Sequence, residues 1–367
     1  MSEALTPATG RPTKNIAIMA ALAATVALAA CSPPPVPGTS PSAGVSSTPP
    51  PSTSTELTVV THDSFAIPEE LKNRFADESG LDVTYVAPGD GGALVNQLIL
   101  TKDSPLGDVV YGIDNSFSSR AVAEGVIAEY DSPALPPTAS QFDTEALIPI
   151  DFGDVCLNAD TAWFDEKGIP VPTTLDDLVK PAYKDLLVVS NPASSSPGLS
   201  FLLATIAAKG EDGYLDYWGQ LKDNGVAVVQ GWSDAYYTEF SGADGAGPRP
   251  LVVSYATSPA YTVTKDGKGS TTEALLGTCF RQVEYAGVIE GAQNVEGARQ
   301  FIDFLLSDDV QSSIPENMFM YPVTEVELPQ EWVDFAPLSG NSLTLDEQRT
   351  SENRDAWIKA WTAKVIG

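Results

Sequence analysis

Apolar residues alternate between strand-like and helix-like spacing along most of the chain. The β-branched segment LTVVTHDSF, from residue 57, predicts a strand that runs into a polar turn, and IPEELKNRFADESG then predicts a helix with a glycine stop. LDVTYVA predicts a second strand, and PGDGGALVNQLIL predicts a glycine turn that opens a helix. GDVVYGIDNSFSSRAVAEG repeats the order of strand, turn and helix. This alternation predicts an α/β fold with a parallel sheet.

Three of the predicted turns that follow a strand carry an aspartate. These residues are Asp63, Asp90 and Asp114. A single aspartate in such a turn can simply cap the next helix, and that interpretation stays open for each of them. Ligands of open α/β sheets bind at the carboxyl ends of the strands. Three acids at that edge therefore predict a binding rim.

The second half of the chain repeats the pattern with different turn chemistry. DLLVVSNPASSSPGLSFLLATIAAKG predicts a strand, a serine-rich turn and an apolar helix beginning near Gly198. Free backbone N–H groups and hydroxyls in such a turn can form an anion cradle, and simple capping by Ser196 and its neighbours is the alternative. The turn lacks the lysine of a nucleotide-hydrolysing P-loop. Farther on, the aromatic segments QGWSDAYYTEF and LVVSYATSPAY indicate either a binding wall for a ring or a well-packed core.

The first 55 residues predict export and attachment. Residues 1–30 combine a polar start with an apolar run too short to span a bilayer comfortably, which is typical of a secretory signal. LAAC, ending at Cys31, resembles the bacterial lipobox, which implies a lipid on Cys31 and removal of residues 1–30. An ordinary signal peptide or a single anchor helix is the alternative. Residues 31–55 are almost entirely Pro, Ser, Thr and Gly and predict a flexible tether.

Composition and charge exclude several classes of function. The 49 acidic and 20 basic residues give a net charge of −29 at pH 7, which excludes a nucleic-acid partner. The single histidine, His62, and two distant cysteines predict no metal site. Because no Gly-x-Ser-x-Gly elbow accompanies His62, a hydrolase is not predicted. Cys156 and Cys279 lie in strand-like runs, where either a disulfide or two buried free thiols fit.

The motifs of the body, residues 56–367, resemble those of one family. THDSF, GIDNSF, SSSPGLSFLL, GWSDAY, VSYATSPAY, IPENMFMYPV and WIKAW occur in this order, as in the substrate-binding proteins of bacterial thiamine ABC transporters. The resemblance implies a two-lobed, type II periplasmic-binding-protein fold with crossover strands and a ligand cleft between the lobes. The lobes would comprise residues 56–150 plus about 279–315, and residues 151–278 plus about 316–367.

The resemblance also implies the partners. They are thiamine or a thiamine phosphate as ligand, the permease and ATPase subunits of a transporter, and the membrane through the lipid on Cys31. We expect a lipid-anchored, extracytoplasmic monomer that is not an enzyme and carries no cofactor.

A ligand site follows from the same resemblance. Trp232, Tyr255 and Phe319 would stack on the rings of thiamine, Phe319 standing where the family has tryptophan. The aspartates would face the ligand's polar groups, and the SSSPG turn with Ser233 would face its hydroxyethyl or phosphate end. His62 stands where the family has tyrosine and can titrate near neutral pH. The implied ligand-binding residues are His62, Asp63, Asp90, Asp114, Ser195, Ser196, Gly198, Trp232, Ser233, Tyr236, Tyr255, Phe319 and Tyr321.

A second ligand stays open. The adjacent Tyr236 and Tyr237 are similar to the tyrosine pair with which ferric-binding proteins of the same broad fold hold iron, and His62 could be a further ligand. Ferric ion is therefore the alternative to thiamine.

Overall fold

The computed structural model describes residues 54–142, 144, 146–243 and 245–367. The predicted signal peptide, the lipidation of Cys31 and the tether as far as residue 53 lie outside the described residues. Within the described part of the chain, no helix combines the length and the apolar character that a membrane span requires.

Strands and helices alternate through the described chain. The strands are β1 (Glu56–Thr61), β2 (Asp82–Val86), β3 (Val109–Asp114), β4 (Ile127–Ala128), β5 (Ile148–Asp160), β6 (Leu187–Ser190), β7 (Ala227–Val229), β8 (Leu251–Tyr255), β9 (Thr272–Ile289) and β10 (Tyr321–Pro322). The α-helices are α1 (Glu69–Ser79), α2 (Gly91–Leu100), α3 (Ser118–Ala123), α4 (Thr161–Lys167), α5 (Ser196–Lys209), α6 (Tyr214–Asp223), α7 (Ser258–Tyr261), α8 (Val295–Leu305), α9 (Asp308–Met318), α10 (Gln330–Phe335) and α11 (Glu347–Val365). Pro137–Phe142 and Pro181–Tyr183 form 3₁₀ turns, and Asp234–Glu239 forms a π-helix.

The sheet is mixed rather than wholly parallel. Its strand order is β2-β1-β3-β9-β5-β8-β6-β7. As the alternation of strands and helices predicts, β1 pairs parallel with β2 and β3, and β6 pairs parallel with β7 and β8. The expectation of a parallel sheet is wrong for the centre, where β5 and β9 pair antiparallel with each other and with β8 and β3. These two long strands together connect the two parallel groups, because β9 pairs with β3 of one group and β5 pairs with β8 of the other.

Alternating side chains of the strands supply the core on both faces of the sheet. In β1, Leu57 and Val59 pack in a cluster with buried residues of α1 and α8. Val60 points to the other face and packs in a cluster with Leu94 and Val95 of α2. This period-2 alternation follows from strand geometry and explains why both faces of the sheet carry helices.

A disulfide bond joins the two central strands. Cys156 of β5 and Cys279 of β9 are bonded, and both residues are fully buried. Of the two interpretations that the sequence left open, the structure therefore shows the disulfide between neighbouring strands. The bond lies beside an irregularity in the β5–β9 register, between Val155 and Leu157.

Candidate functional site

A cavity lies where the strands of both parallel groups end. Its walls come from the turn after β1, the N-cap of α2, the first residues of α5, the segment that follows β7, the β8–α7 corner, the second half of β9, and the end of α9. The lining residues are His62, Asp63, Ser64, Ala66, Asp90, Ser196, Pro197, Trp232, Ser233, Tyr236, Tyr237, Tyr255, Ser258, Tyr261, Glu284, Asn317, Met318, Phe319 and Met320.

Aromatic residues of the segments QGWSDAYYTEF and LVVSYATSPAY form one wall of this cavity. Trp232 stacks on Tyr236 with ring centroids 5.0 Å apart and an interplanar angle of 16°, and Tyr255 meets Trp232 edge-on at 6.1 Å. The indole N–H of Trp232 donates to Ser254 Oγ at 2.9 Å, which fixes the ring's orientation. The half-buried Trp232 therefore presents a positioned aromatic surface, of the kind that stacks on flat or cationic rings.

A second aromatic contact lies at the end of α9. Phe319 ends this helix in the left-handed region at φ 56°, and its ring meets Tyr261 edge-on at 5.1 Å. The turn at Phe319 redirects the chain into β10, where Tyr321 stacks on Phe152 and donates its hydroxyl proton to the backbone carbonyl of Ala336. Tyr321 therefore packs outside the cavity lining, although it lies two residues from Phe319.

The backbone amides at the start of α5 already have acceptors within the protein. Ser195 is the N-cap of α5 and accepts from Gly198 N–H at 3.4 Å, as the capping alternative proposes. A Cβ at Gly198 would lie 2.5 Å from the carbonyl oxygen of Ser190, so glycine permits the close approach of α5 to β6. Ser195 and Gly198 therefore lie behind the cavity, whereas Ser196 lines it.

Asp90 connects the two parallel groups through backbone hydrogen bonds. It caps α2, where Oδ1 accepts from Gly91 N–H at 2.6 Å, and the same oxygen accepts from Ser196 N–H at 3.2 Å. Its other carboxylate oxygen, Oδ2, accepts from Trp232 N–H at 2.9 Å. One carboxylate thus bridges β2–α2, α5 and the Trp232 segment. A nearby contact between the hydroxyls of Ser64 and Ser233, 3.3 Å apart, adds a second bridge.

The other two predicted aspartates differ in exposure. Asp63 lines the cavity, and its pKa is raised above the ordinary value, first by partial burial and then by the charge of Asp90. Asp114 is fully buried behind the lining, where it accepts hydrogen bonds from the hydroxyl of Ser196 and the N–H of Ser116. Burial raises the pKa of Asp114 to about 6 against the opposing effect of these hydrogen bonds.

His62 and Glu284 meet at the floor of the cavity. The two side chains are buried, and His62 Nε2 lies 3.5 Å from Glu284 Oε2. On the other side of the ring, Nδ1 accepts from the N–H of Ser64 at 3.1 Å. A Cβ at Gly112 would lie 2.1 Å from the His62 ring, so a glycine with φ +100° at that position of β3 gives the ring its space.

A buried hydrogen-bond chain holds Glu284 from behind. The phenol of Tyr111 lies 2.7 Å from Glu284 Oε2 and 2.5 Å from Asp151 Oδ2. One phenolic proton cannot serve two carboxylates, so one acid carries a proton of its own. Burial and the charge of Glu284 raise the pKa of Asp151 well above its ordinary value, which assigns that proton to Asp151. Gln282 donates to the other oxygen of Glu284 at 2.9 Å.

These contacts keep Glu284 ionised. Burial raises its pKa, but the His62 ring, the Tyr111 phenol and the Gln282 amide outweigh burial and leave the pKa of Glu284 below its ordinary value. Glu284 is not among the site residues that the sequence predicts. The signal available was an ionisable side chain inside the apolar run FRQVEYAGVI.

The cavity brings together most of the predicted ligand-binding residues. Those in the lining are His62, Asp63, Asp90, Ser196, Trp232, Ser233, Tyr236, Tyr255 and Phe319, and those outside it are Asp114, Ser195, Gly198 and Tyr321. Lining residues beyond the predicted set include Ser64, Ser258, Glu284 and the sulfur-containing Met318 and Met320. Among the described residues, no group of three or more His, Cys, Asp or Glu side chains is arranged to hold a metal ion.

The chain is similar in sequence and in fold to bacterial solute-binding proteins. Residues 104–339 match the family model of the bacterial extracellular solute-binding proteins. Over 320 residues the chain is 30% identical to the thiamine-binding periplasmic protein of Escherichia coli (strain K12), an alignment that covers 84% of this chain and 93% of that protein. A solved structure of a periplasmic thiamin binding protein matches with a TM-score of 0.74 and 28% identity, over 84% of this chain and 96% of the other. The ferric binding protein from Campylobacter jejuni matches at a TM-score of 0.66 and 17% identity over 84% and 99% of the two chains, a likeness of fold.

Proposed function

This chain belongs to the bacterial extracellular solute-binding proteins, and we propose that the solute it captures is thiamine or a phosphate ester of thiamine. The family consists of non-enzymatic transport components, so the chain is not an enzyme. The predicted periplasmic-binding-protein fold is confirmed by the match to solved structures. As a further part of the proposal, the chain delivers its ligand to the permease of an ABC transporter.

The observation that carries the proposal is an aromatic wall facing fixed negative charge in one cavity. Trp232, with Tyr236 and Tyr255, provides the flat surface, and Asp63, Asp90 and Glu284 provide the carboxylates. No lysine or arginine is among the described residues that line the cavity. Thiamine joins a flat aminopyrimidine to a permanently cationic thiazolium, and these are the groups that such a surface attracts.

A two-lobed division of the body is part of the same proposal. We place residues 56–150 with about 279–315 in one lobe, and residues 151–278 with about 316–367 in the other. The cavity supports this division because Asp63 and Trp232 come from the parallel groups on opposite sides of β5 and β9. A ligand that touches both lobes would stabilise the closed state.

The proposed ligand can be tested by calorimetry on the purified full-length chain. The titrants are thiamine, its mono- and diphosphate, and ferric ion, all in one buffer. We expect saturable binding of thiamine or an ester with one site per chain. Ferric binding with a visible tyrosinate–iron absorption band, lost in Tyr237→Phe and accompanied by no thiamine binding, would refute the proposal in favour of iron.

Trp232→Ala should weaken thiamine binding about ten- to a hundredfold, or roughly 1–3 kcal/mol, because it removes the stacking surface. Calorimetric titration with thiamine measures the affinity of every variant, and thiamine should quench the intrinsic fluorescence of the parent through Trp232 but much less that of Trp232→Ala, which lacks the stacked ring. Trp163→Ala is the matched control, because Trp163 is half-buried on α4 outside the cavity lining. Equal losses in both variants, or no loss in Trp232→Ala, would contradict a stacking role.

We also propose that Cys31 carries a lipid that anchors the chain on the extracytoplasmic face of the membrane. The support is the LAAC motif at the end of the apolar leader and the Pro/Ser/Thr-rich segment that follows it. Cys31→Ser should either release the chain from membranes or leave its leader uncut, which fractionation and intact-mass measurement distinguish. Unchanged processing together with retention in the membrane fraction would rule out the anchor.

A further inference from the structure

In the cavity wall, a titratable base and an ionised acid meet at the pair of His62 and Glu284. Both residues line the cavity, with Nε2 of the ring 3.5 Å from Oε2 of the carboxylate. His62 Nε2 has no hydrogen-bond partner within the described part of the chain. This buried polar atom therefore faces the cavity and a single carboxylate.

Glu284 holds a negative charge that the protein does not neutralise from behind. Its hydrogen-bond donors, the phenol of Tyr111 and the amide of Gln282, are both neutral groups. A buried carboxylate in such surroundings is stabilised further by any cation that reaches it. The two candidates are a proton on His62 and a cationic group of the ligand.

The charges around His62 come from several elements. Burial by itself lowers the pKa of the ring, and the nearby carboxylates, of which Glu284 has the largest effect, outweigh burial and raise the pKa above 6.5. The charged and titratable groups that face the ring are Glu284 of β9, Asp90 at the start of α2, Asp63 of the same turn, Tyr111 of β3 and, beyond Tyr111, Asp151 of β5. Lys72 of α1 shares a neighbouring surface cavity with His62 and is paired with Glu69 at 2.6 Å.

We propose that a cationic group of the ligand and a proton on His62 compete for Glu284, so that binding of a permanent cation expels the proton. This inference rests on the proposed function and adds to it the residue that receives the cationic ring and the proton that opposes it.

The hydrogen bond at Nδ1 of His62 also makes protonation of the ring unfavourable for ligand binding. Because Nδ1 accepts the N–H of Ser64, a doubly protonated ring loses that bond. The hydroxyl of Ser64 contacts Ser233 across the cavity, so protonation of His62 also disturbs a contact that bridges the two sides. Protonated His62 therefore disfavours the cation electrostatically, and it also lacks the hydrogen bond that holds Ser64 beside Ser233.

The affinity for a cationic ligand should rise with pH. Below the pKa of His62 the ring is protonated and the affinity for a cation is lowest, and the affinity rises as the pH increases through that pKa. Between about pH 5 and about pH 8.5 we expect the affinity to rise about tenfold, because one nearby charge typically changes a pKa by about one unit or more. By reciprocity, the bound cation must lower the pKa of His62 by the same factor, about one unit.

Because the chain contains a single histidine, the imidazole NMR signal belongs to His62 without further assignment. NMR titration of the imidazole signal of the full-length chain, produced without a histidine tag, measures the pKa of His62 without and with saturating thiamine. We expect the pKa to fall by about one unit on binding. An unchanged or raised pKa in the thiamine complex would overturn the inference.

Calorimetry provides an independent readout. Thiamine titrations in two buffers of different ionisation enthalpy, at a pH midway between the free and bound pKa values of His62, count the protons released. A one-unit fall in that pKa corresponds to about half a proton for the parent, and we expect about zero for His62→Gln. Titration of the ligand's own groups is common to both proteins and cancels in the comparison. Equal proton release by the two proteins overturns the inference while leaving thiamine binding intact. Absence of thiamine binding at every pH refutes the proposed function itself, and the inference with it.

Discussion

Replacement of Cys156 and Cys279 together by alanine should lower the free energy of unfolding by about 3–5 kcal/mol. The disulfide joins residues 123 positions apart, and a cross-link that closes a long loop removes much conformational freedom from the unfolded chain. Both sulfur atoms are buried between the central strands, so alanine adds no unpaired polar group there. Denaturant unfolding of the parent and the double variant measures the difference.

The single variants separate the bond from the packing. Cys156→Ala and Cys279→Ala each break the disulfide but retain one sulfur atom, so each should lose most of the same stability. A double variant as stable as the parent would contradict the prediction, as would two alkylatable thiols in the unreduced, unfolded parent. Thiamine binding by the folded double variant would show that the cavity itself does not require the bond.

Asp90→Ala should weaken thiamine binding by roughly 2–4 kcal/mol, or about thirty- to a thousandfold. The carboxylate accepts from Gly91, Ser196 and Trp232, and alanine leaves those N–H groups without their acceptor in the closed cavity. Each unsatisfied buried donor costs about 1–3 kcal/mol, whereas water can satisfy the same groups when the cavity opens. The closed state therefore loses stability relative to the open state.

Calorimetry with thiamine checks this prediction against two further variants. Asp90→Asn keeps one acceptor oxygen and should lose less affinity than Asp90→Ala. Asp77→Ala removes an exposed acid of α1 outside the cavity lining and should bind as the parent does. Parent-like affinity in Asp90→Ala would show that the bridge does not contribute to binding, and a parallel loss in Asp77→Ala would attribute the effect to net charge.

The sequence predicted the parts of the site that depend on local pattern. Asp63 and Asp90 lie at the cavity because each follows a parallel strand, and such strands end at one edge of the sheet. Asp114 follows the same rule along the chain, but its side chain is buried and receives the hydroxyl of Ser196, 82 residues away. No local sequence pattern predicts that the side chain of Asp114 is buried against Ser196 and does not line the cavity.

The features of the site that the sequence did not predict depend on contacts between residues far apart in the chain. The serine-rich turn before α5 has the chemistry of an anion cradle, but the acceptor at Ser196 N–H is Asp90, 106 positions earlier in the chain. Glu284 lies in a strand predicted only as apolar, and it reaches the cavity because β9 crosses the centre of the sheet antiparallel to its neighbours. The strand–helix alternation predicts the parallel groups and carries no information about such a crossing strand.

The proton assigned to Asp151 makes the stability of the fold depend on pH. The folded chain retains this proton above the pH near 4 at which the unfolded chain releases it, because the folded pKa of Asp151 is raised. The unfolded state then binds fewer protons, so stability falls as the pH rises, by about 1.4 kcal/mol per pH unit until the folded Asp151 itself ionises. Mild acid should thus strengthen the fold through Asp151 while it weakens capture of a cation through His62. As the pH falls, the folding stability that depends on Asp151 therefore increases while the affinity for a cationic ligand decreases.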